Sequence, residues 1–433
     1  METRRRFCFG RNEDGVFPNE GKRPFLFCGR GGEVGIRELK TTGHWPTLLS
    51  AFLYFDVSFM IWVLIGALGV FIAQDFGLSP TLKGLIVAIP ILAGSLLRLP
   101  MGLTVDRFGP RRMGALGLVF TVLPLLVGWK SAGSLGGLVV VGLLLGVAGA
   151  SFAVALPLAS RWYPPRLQGL VMGIAGAGNS GTVVAAFLAP RLAERVGWHA
   201  VFGLALIPLA AALTVYSLMA KDSPAQPPAR PLREYLAVLR VSDTWWFNLF
   251  YMLTFGGFVG LASFLPIFFH DQYGISRIMA GNLTALCVLV GSFLRPVGGA
   301  LADRFGGLRV LTVLYAAVGI VVSGVSLLPA LPLTTLLLFA TMAGLGMGNG
   351  SVFQLVGQRF RDEIGVVTGL VGAAGGFGGF LLPTLIGLLK DVSGSYGTGF
   401  FVFGLSGFAC MSVLLYVQGT WRTWAHADLE AAR

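Results

Sequence analysis

Two segments of the chain, GSLLRLPMGLTVDRFG at 94–109 and GSFLRPVGGALADRFG at 291–306, repeat one pattern at an offset of 197 residues. Each segment carries an arginine, Arg98 or Arg295, inside an apolar run of the length that is typical of membrane-spanning helices. An arginine at the middle of a bilayer costs about 2.5–3.5 kcal/mol on insertion scales. A chain that bears this cost at equivalent positions of two halves is expected to use both arginines to hold an anion.

Twelve apolar runs of about 20 residues lie between residues 45 and 420. Hydrophobic residues make up 55% of the chain and charged residues only 12%, against about 25% charged residues in soluble proteins. We therefore predict an all-α membrane protein with twelve transmembrane helices in two pseudo-symmetric six-helix halves. The longest interruption between the runs, at 221–243, is rich in Pro and charge, and we predict that it is a linker between the two halves. The other predicted segments are a tail at 1–44, an N-terminal half at 45–220, a C-terminal half at 244–420 and a tail at 421–433.

The positive charges are spread between the apolar runs, so the net charge of +12 does not indicate a nucleic-acid partner. The loops after every second helix and the two tails hold most of the 32 Lys and Arg residues. By the positive-inside rule, both termini are predicted to be cytoplasmic in a multi-pass protein of the cytoplasmic (inner) membrane. The first tail is polar and basic, and we expect it to be disordered.

The sequence lacks the motifs that are typical of several other function classes. The four Cys and four His residues show no metal-ligand spacing, and no GxxxxGK[ST] loop for ATP is present. The apolar runs also offer no nucleophile with a base. We therefore expect no metal, no cofactor and no catalytic residues, and hence no enzyme.

The ends of the two repeats, GLTVDRFGPRR at 102–112 and GALADRFGGLR at 299–309, resemble the cytoplasmic motif of the major facilitator superfamily. Gly102 and Gly299 are expected to permit close helix contact, and the acidic residues to cap the N-terminus of a neighbouring helix. The basic residues are expected to face acidic lipid and helix C-termini. The predicted cytoplasmic gate consists of Asp106, Arg107, Arg112, Asp303, Arg304 and Arg309.

The depth of the arginines follows from helix geometry. Arg98 lies eight residues before Asp106, about 12 Å along a helix, and the hydrocarbon core is about 30 Å thick. Snorkelling to the surface is unfavourable because the side chain is shorter than that distance. Asp56 in the first helix is a candidate counter-charge, but one carboxylate cannot neutralise two arginines. Pseudo-symmetry therefore predicts that Arg98 and Arg295 face each other at one depth.

Two Gly-rich runs, GIAGAGNSG at 173–181 and GLVGAAGGFGG at 369–379, align at an offset of 196 residues. In lipid, glycines let a backbone approach a partner helix or a ligand closely, so helix packing and ligand approach are both possible here. The glycines of this signature are Gly176, Gly178, Gly181, Gly372, Gly375 and Gly376.

These motifs together resemble the nitrate/nitrite porter family of the major facilitator superfamily over about residues 45–420. The matching segments are SFMIW, LLRLPMG, GASFAVALP, GAGNSG, FYMLTFGGFVG, FLRPVGGALADRFGG, GNGSVFQ and GAAGGFGGFLLP. The resemblance implies an anion clamp of two arginines, a hydrogen bond from a tyrosine, a nearby asparagine and two sandwiching rings. These residues are Arg98, Arg295, Tyr251, Asn179, Phe152 and Phe255. Planar guanidinium forks and flat ring faces suit a planar, singly charged ion.

The mode of transport depends on Asp56. Two facing arginines repel in an empty site, which opposes its closure and favours exchange of one anion for another. Asp56 can instead take up a proton when an anion arrives, because nearby negative charge favours the neutral carboxyl group; a static bond to an arginine is its other possible role. The segment YFDVSFM resembles the branch assigned to proton-coupled nitrate uptake, so we predict nitrate/proton symport by a monomeric carrier. The alternatives are a nitrate/nitrite exchanger, a carrier of another small monovalent anion and a non-transporting sensor.

Overall fold

A backbone N–H group finds no water inside a bilayer, so each apolar run satisfies its amides by forming a helix. The computed structural model describes residues 39, 41–224, 233, 237–360 and 364–425. Within these ranges, twelve helices are long and apolar enough to cross a membrane, which confirms the predicted fold class. Most of the two predicted tails and part of the predicted linker lie outside the described residues, so the domain limits stay a prediction.

The first six helices are separated by short connections. They are α1 (Trp45–Trp62, Leu64–Ala67 and Gly69–Asp75), α2 (Pro80–Phe108), α3 (Pro110–Lys130), α4 (Leu135–Gly149 and Phe152–Ser160), α5 (Pro165–Gly176, a 3₁₀ turn at Ala177–Ser180, and Gly181–Val196) and α6 (Trp198–Leu204 and Leu206–Met219). The second six are α7 (Ser242–Tyr251, a π turn at Met252–Gly256, and Gly257–Tyr273), α8 (Arg277–Phe293 and Arg295–Phe305), α9 (Gly307–Ser326), α10 (Leu331–Arg359), α11 (Ile364–Ser393) and α12 (Tyr396–Ala425).

Equivalent helices of the two halves begin and end with the same local chemistry. The hydroxyl groups of Ser79 and Ser276 accept hydrogen bonds from the first turns of α2 and α8. Both helices end at the glycine of the repeated Asp-Arg-Phe-Gly sequence, where Gly109 and Gly306 have φ angles of 86° and 89°. Only glycine adopts this conformation without strain, so the repeat encodes the sharp turn into the following helix.

Several helices depart from regular α-helical geometry part-way along their length. The 3₁₀ turn of α5 contains Asn179, the π turn of α7 follows Tyr251, and the break in α8 precedes Arg295. Such departures from α-helical geometry often occur at functional sites because they redirect side chains. Three of the predicted site residues therefore lie in or next to such departures.

The two halves meet mainly where α2 packs along α11 and where α5 packs along α8. A Cβ at Gly84 of α2 would lie 2.2 Å from the carbonyl oxygen of Pro383, and one at Gly387 of α11 would lie 2.3 Å from that of Pro80. Small residues thus allow backbone-to-backbone contact, which is how helices associate in lipid.

Twelve spans place the beginning of α1 and the end of α12 at one face of the molecule, which we call the terminal face. At the opposite face, polar side chains join the first half to the second. Lys83 Nζ lies 2.5 Å from Asp271 Oδ2, and Arg277 Nη2 donates to Gln74 Oε1 at 2.5 Å. Further bonds of this opposite-face network join Tyr396 to Asp271, Gln74 to His270, and Thr81 to Asp391.

Toward the terminal face the halves diverge. A Cβ built at Gly102 of α2 or at Gly369 of α11 would meet nothing within 4 Å. These positions lie on the same two helices that touch through Gly84 and Gly387, but nearer the terminal face than Arg98. The region around Arg98 is therefore closed toward the opposite face and adjoins open space toward the terminal face.

Candidate functional site

Arg98 is almost completely buried, with 1% of its surface exposed. Its Nε donates a hydrogen bond to the carbonyl oxygen of Gly149 in α4 at 3.2 Å, and its Nη1 donates to that of Gly372 in α11 at 2.6 Å. Its Nη2 is buried and has no hydrogen-bond partner. A buried N–H group without a partner is costly, so this atom is available to a ligand.

Aromatic rings surround the Arg98 guanidinium. Its Cζ lies 5.0 Å from the centroid of Phe255, 5.3 Å from Trp62 and 5.5 Å from Phe152. Cation–π attraction of this kind stabilises a charge that burial has removed from water. The rings also exclude water, which strengthens any interaction between the guanidinium and an anion.

Arg295 approaches the same region from the second half. Its Nη2 donates to the hydroxyl oxygen of Tyr251 at 3.3 Å, while its Nη1 is buried without a partner. Its Cζ lies 5.8 Å from the centroid of Phe152 and 5.5 Å from that of Phe353. Because the Phe152 ring is shared with Arg98, the structure brings the two predicted arginines together, each with an unpartnered N–H group.

Tyr251 and Phe255 form one aromatic wall of this region. Their rings stack at a centroid distance of 5.1 Å with an interplanar angle of 5°. Both side chains are buried, and the edge of Phe353 meets Tyr251 at 4.9 Å. Since the Tyr251 hydroxyl accepts from Arg295, its own proton remains available for donation to a ligand.

Asp56 does not neutralise either arginine in this structure. Its Oδ1 accepts a hydrogen bond from the Ser180 hydroxyl at 2.7 Å, and among the described residues it forms no ion pair. The neighbouring Asn179 is buried, and its Oδ1 has no partner. Among the described residues, this polar group of α1 and α5 makes no hydrogen bond to either guanidinium.

The signature glycines differ in how closely neighbouring atoms approach the position that a Cβ would occupy. A Cβ at Gly181 would lie 1.8 Å from the backbone oxygen of Asp56, and one at Gly178 would overlap the Phe55 ring. In α11, a Cβ at Gly375 would lie 2.5 Å from the Tyr251 ring, and one at Gly376 would lie 2.8 Å from Ser95. These four glycines therefore make room for close packing next to the site.

The two remaining signature glycines have more space. A Cβ at Gly372 would lie 3.7 Å from Arg98 Nη1, an ordinary contact, and the Gly372 carbonyl oxygen is an acceptor for that arginine. Gly176 is buried, yet a Cβ there would meet nothing within 4 Å. Of the two possible roles for the Gly-rich runs, helix packing applies to most positions, while Gly372 borders the site itself.

The acidic residues of the predicted gate have different partners. The Asp106 carboxylate pairs with Arg161 Nη2 at the end of α4 at 2.6 Å. The N-terminus of α3 is capped by Asp222, whose Oδ1 accepts from the backbone N–H of Arg111 at 2.9 Å. Asp303 lies beside the side chain of Gln354 in α10 and caps no helix among the described residues.

The two gate glycines differ in their surroundings. A Cβ at Gly102 would meet nothing within 4 Å, so the predicted close contact is absent there. At Gly299 the helices do pack closely, since a Cβ at Gly350 of α10 would lie 2.7 Å from the Gly299 backbone nitrogen. The basic side chains of the gate are exposed at the terminal face: Arg107, Arg112, Arg304 and Arg309.

Sequence reasoning did not single out two aromatic residues of the site, Trp62 and Phe353. Both occur in segments that carried the family resemblance, SFMIW and GNGSVFQ. Their contacts with Arg98 and Arg295 come from α1 and α10, which are distant in sequence from the arginines. Among the described residues, no cluster of three or more His, Cys, Asp or Glu could hold a metal ion.

This architecture, two six-helix halves around one buried and one partly buried arginine, agrees with the proteins that the chain resembles. The model of the Major Facilitator Superfamily matches residues 50–383. A solved structure of a bacterial homolog of the human lysosomal transporter Spinster, in an inward-facing and occupied conformation, has a TM-score of 0.62 at 17% identity. The alignment covers 89% of this chain and 97% of that one. The chain is a transporter of the major facilitator superfamily, and not an enzyme.

Curated relatives narrow this class. The nitrite extrusion protein of Bacillus subtilis (strain 168) is 37% identical over 84% of this chain and 91% of the relative. The probable nitrate/nitrite antiporter NarK1 of Thermus thermophilus is 35% identical over 82% and 87%, respectively. The probable nitrate transporter NarT of Staphylococcus epidermidis is 33% identical over 83% and 93%. The chain belongs to the nitrate/nitrite porter family.

Proposed function

We propose that this protein carries nitrate, and also nitrite, across the cytoplasmic membrane. The observation that carries the proposal is the pair of arginines at the Phe152 ring, where Arg98 Nη2 and Arg295 Nη1 are buried without a partner. Among the described residues, neither arginine has a carboxylate to neutralise it. A small anion would satisfy both N–H groups and offset both charges at once.

The shape of the site supports a flat ion. Guanidinium N–H groups donate in a plane, which matches the three coplanar oxygens of nitrate. Phe152 and Phe255 both lie against Arg98, so an anion bound to its Nη2 would meet ring faces. A bulkier carboxylate would need space that these rings occupy.

Transport would proceed by alternating access, in which the halves rock around the fixed site. The structure supports one end state, closed at the opposite face and open toward the terminal face. The positive-inside rule makes the terminal face cytoplasmic, with both chain termini there. We further propose that the carrier works as a monomer with the predicted domain limits 45–220, 221–243 and 244–420.

We propose that Asp56 couples transport to protons. A static bond to an arginine is not supported, since Asp56 bonds Ser180 instead. A carboxyl group at this depth, with a hydroxyl beside it and two arginines elsewhere in the cavity, can gain a proton when a negative ion arrives. Binding of the anion and of the proton would then assist each other, which is symport.

Exchange of nitrate for nitrite is the second candidate. Two unneutralised arginines favour it, because closing the site without an anion would bring like charges together. In an exchanger, the carrier with a bound anion would switch between its two open states, whereas the empty carrier would not. The relatives include a protein named as an antiporter and one named for extrusion. An experiment is therefore needed to distinguish proton symport from nitrate/nitrite exchange.

The first experiment measures uptake of labelled nitrate by proteoliposomes containing the wild type, Arg98→Lys or Arg295→Lys. Lysine keeps the charge but loses the planar fork, so either variant should lose uptake by about tenfold or more. Arg191→Lys is the matched control, because that arginine lies over Phe187 away from the site. Uptake at wild-type levels in both site variants would contradict the clamp. Competition by small planar anions, against larger carboxylates, tests the substrate class.

The second experiment measures proton entry during nitrate uptake, with wild type and Asp56→Asn. Symport predicts alkalinisation outside the vesicles that depends on nitrate, and Asp56→Asn should abolish it while leaving nitrate-for-nitrite exchange. Wild-type uptake that requires internal nitrite and moves no protons would eliminate symport in favour of exchange.

A further inference from the structure

The indole of Trp62 is held in one position by three helices. It is fully buried, and its Nε1 donates to the Pro90 carbonyl oxygen of α2 at 2.7 Å. A Cβ at Gly94 of α2 would lie 2.8 Å from the indole, and one at Gly149 of α4 would lie 2.3 Å from it. The absence of side chains at these two glycines is what gives the indole its place.

This position brings the indole against the anion-binding arginine. Pro90, Gly94 and Arg98 are spaced four residues apart, so they follow one face of α2. The indole lies along that face, and the Arg98 Cζ is 5.3 Å from its ring. Gly149 contributes twice, since it leaves room for the indole and its carbonyl oxygen accepts from Arg98 Nε.

The second half lacks an equivalent support. Gly291 is the repeat partner of Gly94, and the place beside it is filled by Phe258, 2.7 Å from a built Cβ. The Phe258 ring has no N–H group that could donate as the indole does, and the rings near the Arg295 guanidinium are Phe152 and Phe353 instead. Among the described residues, the hydrogen bond that tethers the Arg295 guanidinium is the one to Tyr251.

We propose that Trp62 is a positioning residue for Arg98, which it holds so that Nη2 faces the anion. The clamp is then asymmetric: Arg98 is a rigid arm fixed by Trp62 and two carbonyl oxygens, and Arg295 is an adjustable arm. This inference rests on the proposed binding of nitrate by Arg98. It adds the indole to the determinants of affinity.

The test compares Trp62→Leu and Trp62→Phe with the matched control Phe258→Leu in nitrate-uptake assays over a range of concentrations. Removing the ring should raise the KM by about tenfold or more, because a desolvated cation–π contact and the fixed geometry are lost. The maximal rate should change little. Trp62→Phe keeps a ring but loses the bond to Pro90 and should restore part of the affinity, while Phe258→Leu should keep the wild-type KM.

The outcomes separate this inference from the proposed function. Absence of saturable nitrate uptake by the wild type would overturn both. Wild-type uptake combined with an unchanged KM in Trp62→Leu, or with an equal rise in Phe258→Leu, would overturn the positioning role alone. Melting temperatures in detergent verify folding. If Trp62→Leu does not fold, Trp62→Phe decides the question, since an unchanged KM there refutes the need for the indole bond.

Discussion

A single methyl group at Gly375 should disable the site through Tyr251. A Cβ at this position would lie 2.5 and 2.8 Å from two carbons of the Tyr251 ring and 3.1 Å from Phe255. Ordinary contact begins at 3.4 Å, so the ring must move by about 1 Å. It is confined by the parallel Phe255 ring and by the edge of Phe353.

The expected magnitude follows from this displacement. Overpacking costs about 1–3 kcal/mol, of which the better helix propensity of Ala offsets about 1 kcal/mol. The protein should therefore still fold. The larger effect is on binding, because the Tyr251 hydroxyl already lies 3.3 Å from Arg295 Nη2 and a shift of this size breaks the bond. A hydrogen bond to a charged group contributes about 1.5–3 kcal/mol, or roughly 10–100-fold in the KM for nitrate.

The assay is concentration-dependent nitrate uptake in proteoliposomes by Gly375→Ala, with Gly369→Ala as the control on the same helix. A Cβ at Gly369 would meet nothing within 4 Å, so this variant should transport like the wild type. Gly372→Ala, where contacts are 3.7–3.8 Å, should show an intermediate or small effect. Equal losses in Gly369→Ala and Gly375→Ala would refute the reasoning, since helix flexibility rather than space for Tyr251 would then explain the glycines.

Two further predictions concern the faces of the molecule. Lys83→Asp should shift the protein toward the state open at the opposite face, about fivefold for an ion pair near 1 kcal/mol, and Lys83→Asp with Asp271→Lys should restore it. Distances between spin labels across that face measure the shift; no shift in the single variant would contradict it. His44 caps α1 through Nδ1, which accepts from the Thr47 backbone N–H at 3.2 Å. Burial and the charge of Lys221 lower the pKa of His44, so its contribution to stability is full above its ordinary pKa of 6.5 and declines as pH falls below that value. Melting curves between pH 7.5 and 5 should show this decline in the wild type, and His44→Asn, which caps at any pH, should show less of it.

The parts of the site that could be predicted are those encoded within one helix or by the repeat. The recurrence of Arg98 at Arg295, in apolar runs of equal character, was enough to predict two arginines at one depth. The resemblance to a known family supplied Tyr251 and the rings, and the structure brings these residues together around the arginines.

The parts that could not be predicted involve contacts between distant helices. The ion pair of Asp106 with Arg161, at 2.6 Å, depends on the end of α4 reaching α2. Asp222, which caps α3, comes from a segment that had been assigned to the linker. The sequence pattern did not single out Trp62 as a neighbour of Arg98, because its contacts with Pro90 and Arg98 depend on how α1 packs against α2.

The sequence by itself determined the number of helices and the twofold plan, because the backbone in a bilayer must satisfy its own hydrogen bonds and charges within apolar runs are costly enough to be informative. The tertiary structure alone decided which face of each helix meets which neighbour, where the halves touch and where they diverge. It also decided that Asp56 bonds Ser180 rather than an arginine. Those outcomes follow from helix packing in three dimensions, where shifts of a few ångströms determine whether a side chain finds a partner or open space.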